Sequence, residues 1–428
     1  MNQVELELPH DDREHADATG FRIGWDHAHH GLVPPPELLV DGTPIGEGWR
    51  AARAVFGGRS MPWPANRHTR HWLALRVEAW RFGAAFDLAT VTPNHLAQIE
   101  TTRCPARQTA LSGGSSQLPD APVVVRLNPS AAYAAGNLVT LSRAAADAWQ
   151  GLGVEALVQR ARACEAAEIL AAQGLPFDHR ATHEPAAGLA GADPSPAPTD
   201  PAATASMWWR LATLRSLATP LSAAEAARLP LAAMPPNRVR VLNAPQALQV
   251  LLTLRLACDD WSARMVQVAA RLPAHSLRTD FNLWVGALAP RRLEAQALGR
   301  DPVRALEAAW LGERVQRRWH HFVLSLGEVA CEQLVRQLAG EKLAGLRTEH
   351  LAWEQALDGW SLPAPPSARK APPRRPVVSA TTPRPGAPSR AAAEATGAPA
   401  RPAAPRRTAP TPFGPRLRTT TGLRPAAR

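Results

Sequence analysis

The sequence predicts a mainly α-helical protein. Apolar side chains recur every three or four residues over 66–86, which is the spacing of one buried helix face. Residues 207–360 show this spacing almost throughout, with helix-start signals such as Asn243-Ala244-Pro245. No run of about 18 apolar residues occurs, so we expect no membrane span. The four cysteines lie far apart without a Cys-x-x-Cys pair, which favours free thiols and a cytoplasmic location.

Changes in composition set the predicted domain boundaries. The stretch 186–204 is rich in Pro, Ala and Gly without periodicity, which is typical of a linker. Residues after 360 are mostly Pro, Ala, Arg and Thr, and they bury too little apolar surface to offset the entropy of ordering. The predicted organisation in chain order is a disordered N-terminus at 1–20, a helical domain at 21–185, a linker at 186–204, a helical bundle at 205–360 and a disordered basic tail at 361–428.

Positive charge is concentrated in the predicted tail. The formal net charge of the chain is +11 at pH 7. Residues 361–428 hold 13 Lys or Arg and one acidic residue, Glu394, so this segment carries +12 and the first 360 residues sum to −1. Such a segment can neutralise phosphates without discriminating between sequences. Anionic lipid, an acidic protein surface and an extension with no selected role are the alternatives. The predicted nucleic-acid contacts of the tail are Arg374, Arg375, Arg406 and Arg407.

Residues 104–151 carry the most specific pattern in the sequence. The stretch begins with Cys104-Pro105 and continues to Arg126-Leu127-Asn128, after which Tyr133 and Asn137 lie five and nine residues beyond Asn128. An apolar segment and a helix start follow. This order and spacing resemble the ββα core of HNH-type endonucleases. The resemblance implies two strands, a closing helix and descent from a metal-dependent nuclease.

Two departures from the HNH pattern predict that catalysis has been lost. Val125 stands where the family has an acidic metal ligand, and Arg126 stands where ordinary members have the base histidine. Valine offers no oxygen to a divalent ion, and arginine stays protonated at any useful pH. We therefore expect a non-catalytic, nucleic-acid-associated protein without a cofactor. In this hypothesis Arg126, Asn137 and Arg143 assist the tail in contacting the nucleic acid.

Three alternatives stay open from the sequence alone. In the first, the protein is an active nuclease that binds a divalent metal through displaced ligands such as Asp120, Asp147 or His27. In the second, the bundle at 205–360 binds a protein partner and the tail is incidental. In the third, Asn137 is a turn residue with no part in a nuclease-like motif.

The densest group of potential metal ligands is Asp26-His27-Ala28-His29-His30. On a strand, His27 and His29 would point to the same side and share a metal, with Asp26 as a third ligand. The alternative is an N-terminal loop that presents its histidines at the surface while Trp25 packs against the first helix. A basic and aromatic segment at 314–321 is expected to bury its tryptophan, with a phosphate contact through its arginines as the alternative.

Overall fold

The computed structural model describes residues 10–57, 65–113, 117–173 and 203–339. Over these ranges the fold is mainly α-helical, as the sequence predicts. None of the described helices combines the length and apolarity needed to span a bilayer. The predicted tail, most of the predicted linker and residues 340–360 of the predicted bundle lie outside the described ranges. The elements in chain order are α1 His10–His29, α2 Pro44–Phe56, α3 Arg67–Arg81, α4 Pro93–Gln98, β1 Pro122–Arg126, β2 Leu138–Ser142, α5 Arg143–Trp149, α6 Val154–Ala172, α7 Ala205–Leu217, α8 Ala223–Ala227, α9 Ala244–Ala257, α10 Trp261–Arg271, α11 His275–Ala297, α12 Pro302–Trp310, α13 Glu313–Leu326 and α14 Glu328–Ala339, with a short 3₁₀ helix at Pro36–Leu38.

The first helix corrects two expectations. The sequence predicts disorder over 1–20 and a strand or loop at 26–30, whereas α1 begins at His10 and continues to His29. Packing against later helices explains the difference: Ile23 is buried, and the Trp80 indole of α3 donates to the Ala16 carbonyl at 2.8 Å. Tertiary packing of this kind stabilises a helix whose local sequence signals are weak.

Helices α1 and α2 cross with their backbones in contact. A Cβ atom on Gly24 would overlap the carbonyl oxygen of Ile45. A Cβ atom on Gly48 would likewise overlap the carbonyl oxygen of Phe21. Because a backbone oxygen cannot swing aside as a flexible side chain can, only glycine fits at these two positions. The crossing holds the N-terminal helices in one fixed arrangement.

Strands β1 and β2 form an antiparallel pair, and α5 follows β2 directly. Their register places Val124 opposite Thr140 and Arg126 opposite Leu138. The Ser142 side chain ends the strand pair by capping α5, where it accepts a hydrogen bond from the Ala145 amide. The strand–strand–helix order expected for 104–151 is thus present, whereas kinship with HNH nucleases stays a prediction.

One hydrophobic core joins residues on both sides of the predicted linker. It contains Leu127 and Trp149 from the strand region together with Leu211 and Leu251 from α7 and α9. Helices α6 and α7 pack along one another, and all described residues belong to one compact unit. The segments predicted as a first and a second domain therefore share their buried apolar side chains.

Five aromatic rings form the centre of the later helices. Neighbouring ring centroids lie 5.2–5.9 Å apart. The Trp310 indole donates to Thr253 Oγ1 at 2.9 Å, so its polar atom is satisfied inside the cluster. The expectation that 314–321 buries its tryptophan is confirmed, because Trp319 lies in this cluster. The five rings, the aromatic cluster below, belong to Phe281, Trp284, Trp310, Trp319 and Phe322.

Two buried arginines lie at the C-terminal end of α9. Arg255 donates from Nη2 to the Leu338 carbonyl at 2.7 Å. Arg292 of α11 donates from Nε to the Leu256 carbonyl at 2.9 Å and from Nη2 to the Cys258 carbonyl at 3.3 Å. The last carbonyls of a helix lack partners within it, and a guanidinium group supplies several donors at fixed angles. These arginines therefore tie α9 to α11 and α14.

Candidate functional site

One amide side chain holds the loop between β1 and β2. Asn137 is only 8% exposed, and its Oδ1 accepts a hydrogen bond from the Asn128 amide at 2.8 Å. Its Nδ2 donates to the carbonyls of Asn128 at 3.0 Å and Ala132 at 2.9 Å. The polar atoms of this side chain are thus used within the loop 127–137. The contacts match the alternative in which Asn137 positions the turn, so we do not place it against a nucleic acid.

The Arg126 side chain is directed back onto the same loop. Its Nη1 donates to the carbonyls of Pro129 at 2.7 Å and Ala131 at 3.0 Å. The guanidinium carbon lies 4.4 Å from the ring centroid of Tyr133. The Tyr133 hydroxyl donates to Glu78 Oε1 at 3.0 Å. Burial, together with the nearby Glu78 carboxylate, raises the pKa of Tyr133 to about 12, so the hydroxyl stays protonated at neutral pH.

The cysteine of the motif is a hydrogen-bond acceptor beneath α5. The Sγ atom of Cys104 is buried and lies 3.3 Å from both the backbone nitrogen and the Oγ of Ser142. The Arg107 amide approaches the same sulfur at 3.5 Å. Ser142 therefore links the turn at 104–109 to the start of α5. These hydrogen bonds give Cys104 a structural role in the turn, which accounts for a cysteine at this position.

The structure does not bring Asp26, His27 and His29 together as the ligands of a metal ion. These residues lie on α1, and residues two apart on a helix point to different sides, unlike those on a strand. Asp26 pairs with Arg76 of α3 at 2.5 Å, and His27 Nδ1 donates to the Ile23 carbonyl at 2.8 Å. Burial lowers the pKa of His27. Across the described ranges, no three His, Cys, Asp or Glu side chains are placed to hold a metal ion.

The other predicted site residues lie around this element or outside the described ranges. Arg143 is the first residue of α5 and is half-buried. Asp147 is exposed one turn later, and Asp120 precedes β1. Arg126 at the end of β1 and Arg143 at the start of α5 are therefore both half-buried cations. The predicted contacts outside the described ranges are Arg374, Arg375, Arg406 and Arg407.

A row of aromatic side chains crosses α1, α2 and α3, and the sequence does not predict it. Its signal is the spacing of Phe21, Trp25 and His29 at i, i+4 and i+8, which places them on one face of a helix. The signal holds only if 21–29 is one continuous helix, whereas the sequence predicts a strand or loop at 26–30. Successive ring centroids lie 6.3, 5.5, 5.6, 5.2 and 6.4 Å apart. The members of this aromatic row, in spatial order, are Phe21, Trp25, Phe56, His29, His30 and Trp72.

Comparison with known proteins gives no match: no protein-family model, curated protein or solved structure resembles this chain significantly. Function must therefore be inferred from the charges and contacts of the chain itself.

Replacing Asn137 by alanine is expected to lower the free energy of unfolding by about 2–4 kcal/mol. The substitution removes three hydrogen bonds and leaves the Asn128 amide and the Ala132 carbonyl without a partner, while the Asn128 carbonyl keeps its bond from the Ala131 amide at 3.2 Å. Urea denaturation followed by circular dichroism measures the loss. The control is Asn94→Ala on α4, where the side chain is exposed and a change below about 0.5 kcal/mol is expected. Equal, small losses in both variants would show that Asn137 does not hold the loop.

Proposed function

We propose that this protein binds nucleic acid without cleaving it and that the basic segment 361–428 supplies the main contacts. The observation that carries the proposal is the distribution of charge: this segment holds +12, and the preceding 360 residues sum to −1. Arginines that neutralise phosphates release condensed counterions, which favours binding at low and moderate salt. The binding is independent of nucleotide sequence because phosphates carry no base information.

The residue types in the basic segment favour phosphate as the partner. All of its cations except Lys370 are arginine. A guanidinium group presents paired donors that match two oxygens of a phosphate. Stable attachment to a lipid surface requires apolar or acyl anchoring in addition to charge, and apolar side chains are sparse after residue 361. Nucleic acid is therefore the proposed partner, and anionic vesicles serve as a comparison.

The residue types and contacts in the strand region favour a scaffold without catalysis. A general base must accept a proton, which neither Val125 nor Arg126 can do. The Arg126 guanidinium donates to loop carbonyls, and the Asn137 amide closes the same loop. In this proposal β1, β2 and α5 form a scaffold. Arg126 and Arg143 add positive charge at its edges.

The test replaces four tail arginines by glutamine in the full-length protein and measures binding to a fluorescein-labelled DNA duplex by anisotropy. The variant carries Arg374→Gln, Arg375→Gln, Arg406→Gln and Arg407→Gln. Over about 50–300 mM KCl we expect the slope of log affinity against log salt to become shallower by about 3–4, since each lost phosphate contact contributes about 0.9. Affinity at the lowest salt is expected to fall by about tenfold or more.

A matched variant makes the same change in net charge on the folded surface. It replaces four exposed arginines, Arg50, Arg81, Arg291 and Arg317, by glutamine. We expect this variant to retain the wild-type salt slope. Equal slopes for the wild type and the tail variant would remove 361–428 from the interface. Nicking of plasmid DNA that requires Mg²⁺ or Mn²⁺ and is lost in Asp120→Ala or Asp147→Ala would instead establish the nuclease alternative.

A further inference from the structure

The aromatic row leaves part of its ring surface open to solvent. Phe21 is 39% exposed, and His29 is also exposed. Trp25, Phe56 and Trp72 are half-buried, so each presents part of its ring while the remainder packs on the helices. Consecutive aromatic groups at a surface form a platform on which flat, unsaturated ligands can stack. The row is therefore a partly exposed aromatic surface, which joins the core at Trp72.

The row is fixed in place by the contacts beneath it. The crossing of α1 and α2 at Gly24 and Gly48 holds Phe21 and Trp25 beside Phe56. The Trp72 indole N–H donates to the Val91 carbonyl at 2.8 Å, so the orientation of its ring is set by the backbone. A platform that is already ordered before binding loses little conformational entropy when a ligand stacks on it.

Cationic side chains flank the rings. Arg22 lies at i−3 and i−7 from Trp25 and His29 on α1, and is therefore on the same face and exposed. Arg53 lies at i−3 from Phe56 on α2, and its guanidinium carbon is 4.9 Å from the ring centroid of Trp49. Arg53, Trp49 and Phe56 also line a cavity of about 300 Å³ between α1 and α2. Two cations thus lie beside the rings of Phe21, Trp25 and Phe56.

The charge of the surface around the aromatic row indicates which kind of molecule can bind there. Asp26, the carboxylate within the row, is paired with Arg76, and the exposed Asp17 lies at i−4 from Phe21 on the same face of α1. Arg22 and Arg53 outnumber Asp17, so the surface keeps a small positive charge. The tail of this chain carries +12 and is repelled by that surface. A nucleic-acid strand brings phosphates for the arginines and base faces for the rings. A duplex keeps its base faces stacked inside, so only a single strand can use both sets of groups.

We infer that the aromatic row, with Arg22 and Arg53, is a binding surface for single-stranded nucleic acid. Bases stack on Phe21, Trp25 and Phe56, and the arginines contact the adjoining phosphates. The surface distinguishes a single strand from a duplex. It accepts any base, because every base has a π face. This inference rests on the proposed function and specifies the form of nucleic acid that the protein selects.

The test compares fluorescein-labelled oligo-dT with a duplex of equal length, using the full-length protein at about 300 mM KCl, where phosphate contacts are weakened. The variant Phe21→Ala, His29→Ala removes two exposed rings from the row. We expect oligo-dT affinity to fall by about tenfold or more, with duplex affinity changed less than about twofold. The control is Phe82→Ala, which removes a ring that is 74% exposed and lies outside the row.

Arg53→Gln is expected to reduce the salt slope for oligo-dT by about one.

The outcomes separate this inference from the proposed function. If the row variant binds oligo-dT as the wild type does, or if the wild type shows no preference for oligo-dT over duplex, the inference is wrong. A loss of all binding in the tail variant then leaves the proposed function standing. If oligo-dT binding needs the row but ignores the tail substitutions, the inference holds and the tail proposal fails. A row variant that changes only the sedimentation of the protein from dimer to monomer identifies a contact between copies and overturns the inference.

Discussion

Replacing Gly48 by alanine is expected to lower the free energy of unfolding by about 3 kcal/mol or more. The new Cβ atom overlaps the backbone carbonyl of Phe21, so α1 must move away from α2 along the length of their contact. Guanidinium denaturation followed by circular dichroism measures the loss. The displacement also carries Phe21 and Trp25 away from Phe56, so oligo-dT affinity is expected to fall together with stability.

Gly286→Ala is the matched control for this substitution. Gly286 lies within α11, and a Cβ atom there meets no atom within 4 Å. Alanine at an open helix position is expected to raise stability by about 0.5–1 kcal/mol, because it restricts the unfolded chain. The two glycine substitutions should therefore change stability in opposite directions. A change of the same sign and size in both would contradict the close crossing of α1 and α2.

Truncating Trp310 to alanine is expected to cost about 3–5 kcal/mol. The indole is fully buried, with ring centroids 5.5 Å from Trp284 and 5.2 Å from Trp319, and its N–H donates to Thr253 Oγ1. Its removal leaves a cavity in the aromatic cluster and a buried hydroxyl without its partner. Urea denaturation with tryptophan fluorescence as the signal measures the loss.

Trp310→Phe separates packing from hydrogen bonding at this position. Phenylalanine keeps a ring between Trp284 and Trp319 but cannot donate to Thr253. We expect a loss of about 1–3 kcal/mol, clearly smaller than that of the alanine variant. If alanine and phenylalanine cost the same, the hydrogen bond and not ring packing would dominate, and the aromatic cluster would not be the centre of this core.

Several helices begin at local signals that can be recognised in the sequence. Asn66 caps α3, and Thr92 caps α4 just before Pro93 at its first turn. The capping box from Ser222 to Glu225 is present at α8. Each of these signals operates within four residues of the chain, where sequence spacing alone determines which groups can meet.

Features that depend on distant contacts were not predictable in this way. Helix α1 lacks a strong apolar stripe, and its stability comes from α2 and from a hydrogen bond between Trp80 and Ala16. Spacing singled out Asn137, but only the folded loop places its amide against Asn128 and Ala132. The aromatic row combines residues from three helices, so its surface exists only after those helices have packed.

The arginines at the end of α9 bear on how this chain can vary in evolution. Lysine occurs only at Lys342 and Lys370 among 48 basic residues, and a GC-rich coding bias would produce such an imbalance without selection on the protein. Arg255 and Arg292 are different, because each donates to carbonyls in more than one direction. A lysine ammonium is a single point and cannot replace a forked group. At these two codons, side-chain geometry constrains substitution to lysine independently of nucleotide composition.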